Sequence, residues 1–167
     1  MAQIIHPSDK IKSLAELRCL VEASRAGGKR IALANGCFDL LHVGHIRYLQ
    51  AAKALADTLI VAINDDSSVQ LLKGRARPLQ NQFDRAEILA SLACVDFVII
   101  FDTPTVAPLL DALHPDFHTK GTDYSEETVP ERQTVASYGG RTVIVGDQKS
   151  HSSCDLIARI TATNRQP

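Results

Sequence analysis

The sequence predicts an α/β fold in which a parallel sheet of about five strands is covered by helices on both faces. Three observations carry that prediction. Helical and strand-like patterns alternate along the chain instead of clustering by type. The strand-like stretches are short unbroken apolar runs, such as LIVAI at 59–63 and FVIIF at 97–101. Unbroken runs are what a strand shows when neither of its faces meets water. Finally, 167 residues with 45% apolar and 22% charged side chains match ordinary globular usage and give enough chain to enclose a core.

Taken in order, Ile11, Leu14, Leu17 and Val21 recur at helical spacing behind Ser8 and Asp9, and Gly27-Gly28 stops the pattern. An amphipathic helix is therefore expected over about residues 10–26. IALA at 31–34 is the first strand. A helix starting near Gly44 turns Ile46, Leu49 and Ala52 inward and gives way to the second strand, Leu59 to Ile63. KGRARP, from Lys73 to Pro78, is a basic loop leading into a helix from Gln82 to Leu92 and then to the third strand, Phe97 to Phe101. A helix around Val106 to Leu113, a short strand near Phe117 and a helix near Pro130 to Tyr138 follow, the last closed by Gly139-Gly140. TVIV at 142–145 is the final strand, and the final helix begins near Ser152. No repeat, low-complexity stretch or linker interrupts the series, so residues 1–167 are expected to form one domain. The pattern is that of a doubly wound, Rossmann-like sheet, whose ligands bind beyond the carboxyl ends of the strands, where strand order reverses.

Composition narrows the partners. A net charge of -1 supplies no general basic face, and a chain with no Trp, five Phe and three Tyr lacks a series of stacking platforms, so nucleic acid is not an expected partner. Cys19, Cys37, Cys94 and Cys154 are scattered and form no C-x-x-C, which disfavours a zinc knuckle or a disulfide framework. The start, MAQIIHPSDK, has no apolar leader core, and no apolar stretch approaches the length of a membrane span. A cytoplasmic protein without a membrane partner is expected.

The segment NGCFDLLHVGH, Asn35 to His45, joins the first strand to the second helix. That location puts backbone N–H groups and the positive end of a helix at the carboxyl edge of the sheet, where phosphate is favoured. Gly36 and Gly44 allow close backbone approach, and His42 and His45 can face one ligand and hydrogen-bond its oxygens. No G-x-x-x-x-G-K-[ST] or G-x-G-x-x-G occurs, which disfavours a P-loop kinase or a dinucleotide dehydrogenase. Cys37, His42 and His45 are also ligand types for a metal, but the expected additional ligand is not evident in the sequence. The two histidines alternatively serve only to cap the helix.

NGCFDLLHVGH resembles the first signature of the H-x-G-H cytidylyltransferase-like nucleotidylyltransferases. The likeness continues through YLQAAKALAD, VAINDD, LKGRARP, the helix with Asp84-Arg85, VDFVIIF, PDFHTKGTDY and SHSSCDLI, covering nearly the whole chain. Within the family the sequence is most similar to the branch that adenylylates D-glycero-beta-D-manno-heptose 1-phosphate. The resemblance implies transfer of AMP from ATP to a phosphorylated sugar, with Mg2+ assisting and pyrophosphate leaving. CTP with an alcohol phosphate, and a catalytically silent nucleotide-binding module, are the alternatives. An acceptor phosphate is already largely dianionic near neutral pH, so positioning and charge neutralisation suffice without a covalent intermediate.

The resemblance further implies that His42 and His45 stabilise the transferring phosphates and that Asn35, Gly36, Cys37, Phe38 and Gly44 line the triphosphate pocket. Lys53, about two turns after His45, is expected to reach back toward the phosphates, since helical side chains lean toward the N-terminus; a solvated lysine is the alternative. Lys73, Arg75 and Arg77 are either a phosphate clamp or a solvated loop. Gly121 and Asp123 form either a plain turn or a contact to ribose or metal. Ser152 with Asp155 reads as a capping box, and Ser152 and Ser153 are also phosphate-binding candidates. His118, Thr119, Cys154 and Asp155 depart from the usual family pattern, which bears on the acceptor more than on the reaction. The sugar-kinase domain of some relatives is not in this sequence, and a homodimer is implied by the resemblance alone.

Overall fold

The computed structural model describes residues 6–147 and 152–163. The start of the SHSSCDLI segment lies outside the described residues. The elements are α1 (Leu14–Ala26), β1 (Ile31–Gly36), α2 (Val43–Lys53), β2 (Thr58–Asn64), α3 (Asp66–Lys73), α4 (Gln82–Ala90), β3 (Phe97–Phe101), α5 (Ala107–Leu113), β4 (Phe117–Lys120), α6 (Arg132–Ser137), β5 (Arg141–Ile144) and α7 (Ser153–Thr163). Short 3-10 turns occupy Pro7–Lys10 and Glu126–Thr128.

All strand pairs are parallel, and the order across the sheet is β3-β2-β1-β4-β5. The five-stranded, doubly wound fold expected from the apolar runs is what the chain adopts. Strand order reverses between β1 and β4, which places the ligand-binding crevice beyond Gly36 and Lys120. Alternate residues of β1 feed two cores. Ala32 and Ala34 pack with Leu49 and Ala52 of α2 and Ala86 and Leu89 of α4, while Ile31 and Leu33 pack with Leu17 of α1 and Leu110 of α5. β1 is thereby dry on both sides, the physical reason its sequence shows no polar alternation.

Two expectations are corrected. The first helix does not contain Ile11, which makes an isolated bridge to Val98. The helix starts after Ser13, whose hydroxyl accepts from the Glu16 amide at 3.3 Å while Glu16 accepts from the Ser13 amide at 2.8 Å. Ile11 mimics the helical period because its side chain packs against the same core layer that receives β3. The stretch after β2, between the expected second strand and the Lys73–Pro78 loop, also holds a helix, α3, that the sequence reading left without an element. Of its residues only Ser68 and Val69 are buried, so no apolar periodicity marks it; it is started by Asp65, whose carboxylate accepts from the Ser68 amide at 2.8 Å.

Candidate active site

The loop between β1 and α2 turns sharply at Phe38, whose φ of 47° lies in the left-handed region. That conformation costs a bulky residue roughly 1–2 kcal/mol, and the surroundings over-determine it. The Phe38 ring folds back over Gly36, where a Cβ would sit 3.2 Å from the ring, so a larger residue there would press on the ring. The same ring meets His45 edge-on, with centroids 5.2 Å apart.

His42 takes the N-cap position of α2 with extended backbone, and its ring stacks on His45 with centroids 3.8 Å apart and planes 22° apart. The His42 amide donates to His45 Nδ1 over 3.4 Å, a long hydrogen bond that leaves the ring proton on Nε2, the outer nitrogen. Burial, and then the neighbouring His42, push His45 down to about 4, so it is a neutral donor near pH 7. Gly44 lies in the first turn of α2, whose leading N–H groups have no carbonyl partner within the helix.

Two buried charged residues brace the loop. Asp39, 3% exposed, accepts through Oδ1 from the Leu79 amide at 2.6 Å and the Gln80 amide at 3.2 Å, and pairs with Arg77 Nε. Arg85, 1% exposed, donates to the Cys37 carbonyl at 2.6 Å, the Gln80 carbonyl at 3.0 Å and Asp66 Oδ1 at 2.7 Å. Burial pushes the Cys37 thiol up, while Lys73, Arg85 and Arg77 pull it down, so these three cations bear on one loop. The thiol donates to Asn64 Oδ1 at 3.7 Å, and its burial favours the protonated form.

The other candidates take places around the same edge. Ser153 Oγ donates to the Leu40 carbonyl at 2.8 Å, which sets the N-terminus of α7 against the β1–α2 loop, and Ser152 Oγ accepts from the Asp155 amide at 3.0 Å as the helix cap. The Gly121–Asp123 turn follows β4, and a Cβ at Gly121 would meet open space. Thr122 Oγ1 donates to the Asp147 carbonyl at 2.8 Å, and Asp147 pairs with Arg47 of α2 at 2.8 Å, linking that turn to the helix that carries the histidines. Lys73 and Arg75 are exposed at the end of α3 and just after it. Asn35 Oδ1 lies 3.0 Å from His118 Nε2.

Two expectations fail on geometry. Lys53 does not reach the phosphate region, because α2 carries it roughly 12 Å along the helix axis beyond His45, toward the opposite edge of the sheet. There its ammonium donates to Asp96 Oδ2 at 2.6 Å and to the Asp57 carbonyl. Arg77 is not a solvated side chain, being held through Nε by Asp39. Sequence reasoning in turn passed over Asp39 and Arg85 as functional residues. Arg85 sits one residue before Ala86 and four before Leu89 on the buried side of α4, an apolar-face position that was the available signal. Among the described residues, no group of three or more His, Cys, Asp or Glu is placed to hold a metal, and no helix is long and apolar enough to cross a membrane.

With imidazole, helix N-termini and cations converging on a glycine-lined turn at the strand-order reversal, the crevice suits a polyphosphate undergoing transfer, and the fold and site together define a nucleotidyltransferase. The chain belongs to the Cytidylyltransferase-like family, whose model matches residues 33–165, from β1 through α7. It is 47% identical to the bifunctional protein HldE of Geotalea uraniireducens over 157 residues, which are 93% of this chain and 32% of that protein. It is 48% identical to HldE of Pelobacter propionicus over 151 residues, covering 90% of this chain and 31% of the relative. The chain thus spans about a third of the length of the curated relatives it matches. Among solved structures, the lipopolysaccharide core biosynthesis protein from Thermoplasma volcanium superposes with a TM-score of 0.62 at 26% identity, covering 73% of this chain and all of that one.

Proposed function

We propose that this chain transfers AMP from ATP to a sugar 1-phosphate, heptose 1-phosphate first among them, giving an ADP-sugar and pyrophosphate. The stacked His42–His45 pair at the N-terminus of α2, with the outer nitrogen of His45 as a donor, is the observation that carries the reading. The similarity to HldE proteins and to a lipopolysaccharide core biosynthesis protein favours a sugar phosphate over an alcohol phosphate.

In the reaction an oxygen of the acceptor phosphate attacks the α-phosphorus of ATP, a new P–O bond forms, and the bond to pyrophosphate breaks with its electron pair leaving on the pyrophosphate. His42 and His45 donate to phosphate oxygens as charge shifts toward the leaving group, and the positive ends of α2 and α7 face the same charge. Asn35, Gly36, Cys37 and Phe38 form the wall of the triphosphate pocket, and Lys73 and Arg75, on an exposed segment, supply positive charge to it. Ser152, Ser153, Gly121 and Asp123 border the nucleotide. Mg2+ fits this donor set as an ion carried by phosphate oxygens and water, its usual mode, and would neutralise the triphosphate. The proposal treats residues 1–167 as one transferase unit and allows a homodimer, for which Leu71, Leu72, Leu79 and Phe83 offer exposed apolar area.

The test is a matrix of ATP and CTP against sugar 1-phosphates and alcohol phosphates with Mg2+, read by phosphorus NMR and pyrophosphate release. ADP-sugar formation is expected. Preference for CTP with an alcohol phosphate would replace the substrate assignment, and ATP binding without turnover on any acceptor would point to a silent module.

A further inference from the structure

His118 lies on β4 opposite Leu33 of β1, and it is fully buried. Asn35, two residues further along β1, projects from the same face at the strand-order reversal and is half-buried. His118 Nε2 and Asn35 Oδ1 are 3.0 Å apart, whereas His118 Nδ1 is buried without a hydrogen-bond partner among the described residues. A neutral ring can meet this geometry in two ways. If Nε2 carries the proton, it donates to Asn35 Oδ1 and Nδ1 is a bare acceptor. If Nδ1 carries it, the amide of Asn35 must flip and an N–H is stranded in the core. Stranded N–H groups are the rarer of the two, so the first arrangement holds. Burial, and then the ammonium of Lys120 two residues on, hold His118 down to about 3, so the ring is neutral. Lys120 is itself buried beside Glu131 at 3.4 Å.

An imidazole in this position, with one nitrogen unsatisfied, lowers stability relative to an apolar side chain of similar size. What it gains is a fixed orientation for Asn35. We propose that His118 is a positioning residue, resting on the nucleotidyl-transfer reading above: it holds the Asn35 carbonyl oxygen so that the amide NH2 faces the crevice between β1 and β4 as a donor to a nucleotide oxygen. Asn35 directly precedes Gly36 and the Phe38 turn, so the donor sits at the foot of the triphosphate pocket.

Three variants and two independent readouts test this. His118→Leu fills the same space but releases Asn35, and the KM for ATP should rise about tenfold with kcat within about twofold, the pattern of an interaction made equally in ground and transition states. His118→Gln, whose amide nitrogen can stand where Nε2 stood, should restore most of the affinity. Asn35→Asp keeps the acceptor but loses the donor, and should raise KM at least as much as His118→Leu. The His118→Leu protein should melt no lower than the parent, which separates loss of positioning from loss of fold. Nitrogen-15 NMR of the parent should show His118 protonated on Nε2 alone. Protonation on Nδ1, an unchanged KM in His118→Leu, or failure of His118→Gln to recover affinity would overturn the inference. If the parent turns over no nucleotide, the transferase reading falls, and ATP Kd values for the parent and His118→Leu decide this point separately: a weaker Kd supports it and equal values overturn it.

Discussion

Arg85→Met isolates the brace behind the phosphate loop. The substitution keeps an unbranched apolar stem of comparable length in the same channel, so the change is mainly the loss of the guanidinium. Three hydrogen bonds go with it: those to the carbonyls of Cys37 and Gln80 and to Asp66 Oδ1. Removing one member of a fully buried ion pair costs about 3–5 kcal/mol, but the Asp66 side chain is 35% exposed, and its stranded charge recovers some water. Roughly 2–3 kcal/mol remains from the pair, and the two carbonyls add about 0.5–1 kcal/mol each, for a loss of roughly 3–5 kcal/mol. At about 2–4 °C per kcal/mol for a chain of this size, the melting temperature should fall by roughly 6–20 °C in scanning calorimetry. Pyrophosphate release should drop about a hundredfold at temperatures where the variant is still folded, since the Cys37–Phe38 turn loses the contact that fixes it and small misplacements weigh heavily on catalysis. Arg85→Lys, which keeps the charge but cannot serve three acceptors in one plane, should fall between the two. A melting temperature within about 2 °C of the parent, or equal losses in the Lys and Met variants, would refute the claim that planar donation by Arg85 holds the loop.

His45→Gln and His42→Gln should each lower kcat by about 10²–10³ with little change in circular dichroism or melting, and changes below about threefold would reduce the pair to a helix cap. Stability should also depend on mild acid. His45 and His118 titrate at about 4 and about 3 in the folded protein, below the ordinary value of 6.5, so the unfolded chain binds more protons between those values. The stability they confer is present above about pH 6.5 and is lost as pH falls toward 4, each group giving a slope of up to about 1.4 kcal/mol per pH unit. Melting curves from pH 4 to 7 should show this slope reduced in His118→Leu, and an unchanged slope would show that His118 is not the proton acceptor. Lys53→Met should cost about 1 kcal/mol, read by urea unfolding, and alter turnover by less than about twofold, because its partly exposed partner Asp96 lies at the edge of the sheet away from the histidines; a tenfold loss of turnover would return Lys53 to the site.

The sheet was legible because its physics is local. Four short, largely apolar runs and the short stretch at Phe117 can be recognised one at a time, and each is a strand. The loop from Asn35 to His45 was equally legible, since a strand end followed by a glycine turn and a helix start fixes backbone direction without reference to the rest of the chain. What failed depended on what packs above a residue. Lys53 and His45 share one helix, but α2 crosses the sheet from edge to edge, and a lean of one turn toward the N-terminus does not span that distance. Arg85 falls in the first turn of α4 beside Ala86, and its position on the apolar side does not by itself show that the Cys37 and Gln80 carbonyls close over it. Ile11 has the period of a helix and the partner of a strand. α3 has two exposed leucines, Leu71 and Leu72, and no continuous apolar face, so only its Asp65 cap could have announced it.

The distribution of buried polar residues says which edge of this sheet carries function. Asp39, Asn64, Ser68, Arg85, His118, Thr119, Lys120 and Glu131 are the buried polar and charged residues among those described. Asn64 and Lys120 end strands β2 and β4, Asp39 follows β1, and Ser68, Arg85 and Glu131 lie at or beside the N-terminal ends of α3, α4 and α6. In a doubly wound sheet each of these positions is on the carboxyl edge, and His118 and Thr119 lead into it. At the other edge charge is handled without burial, as in the Lys53–Asp96 pair, whose side chains are 30% and 34% exposed. Buried polar groups destabilise a fold unless every bond is made, and here Tyr48 must donate to the Thr119 carbonyl at 2.7 Å and Glu131 must face Lys120 for that edge to close. An interior built for stability alone would place apolar side chains at both edges. The concentration of polar interior at one edge therefore marks the place where fixed donors and acceptors serve a ligand, and it does so independently of the histidine signature at the same edge.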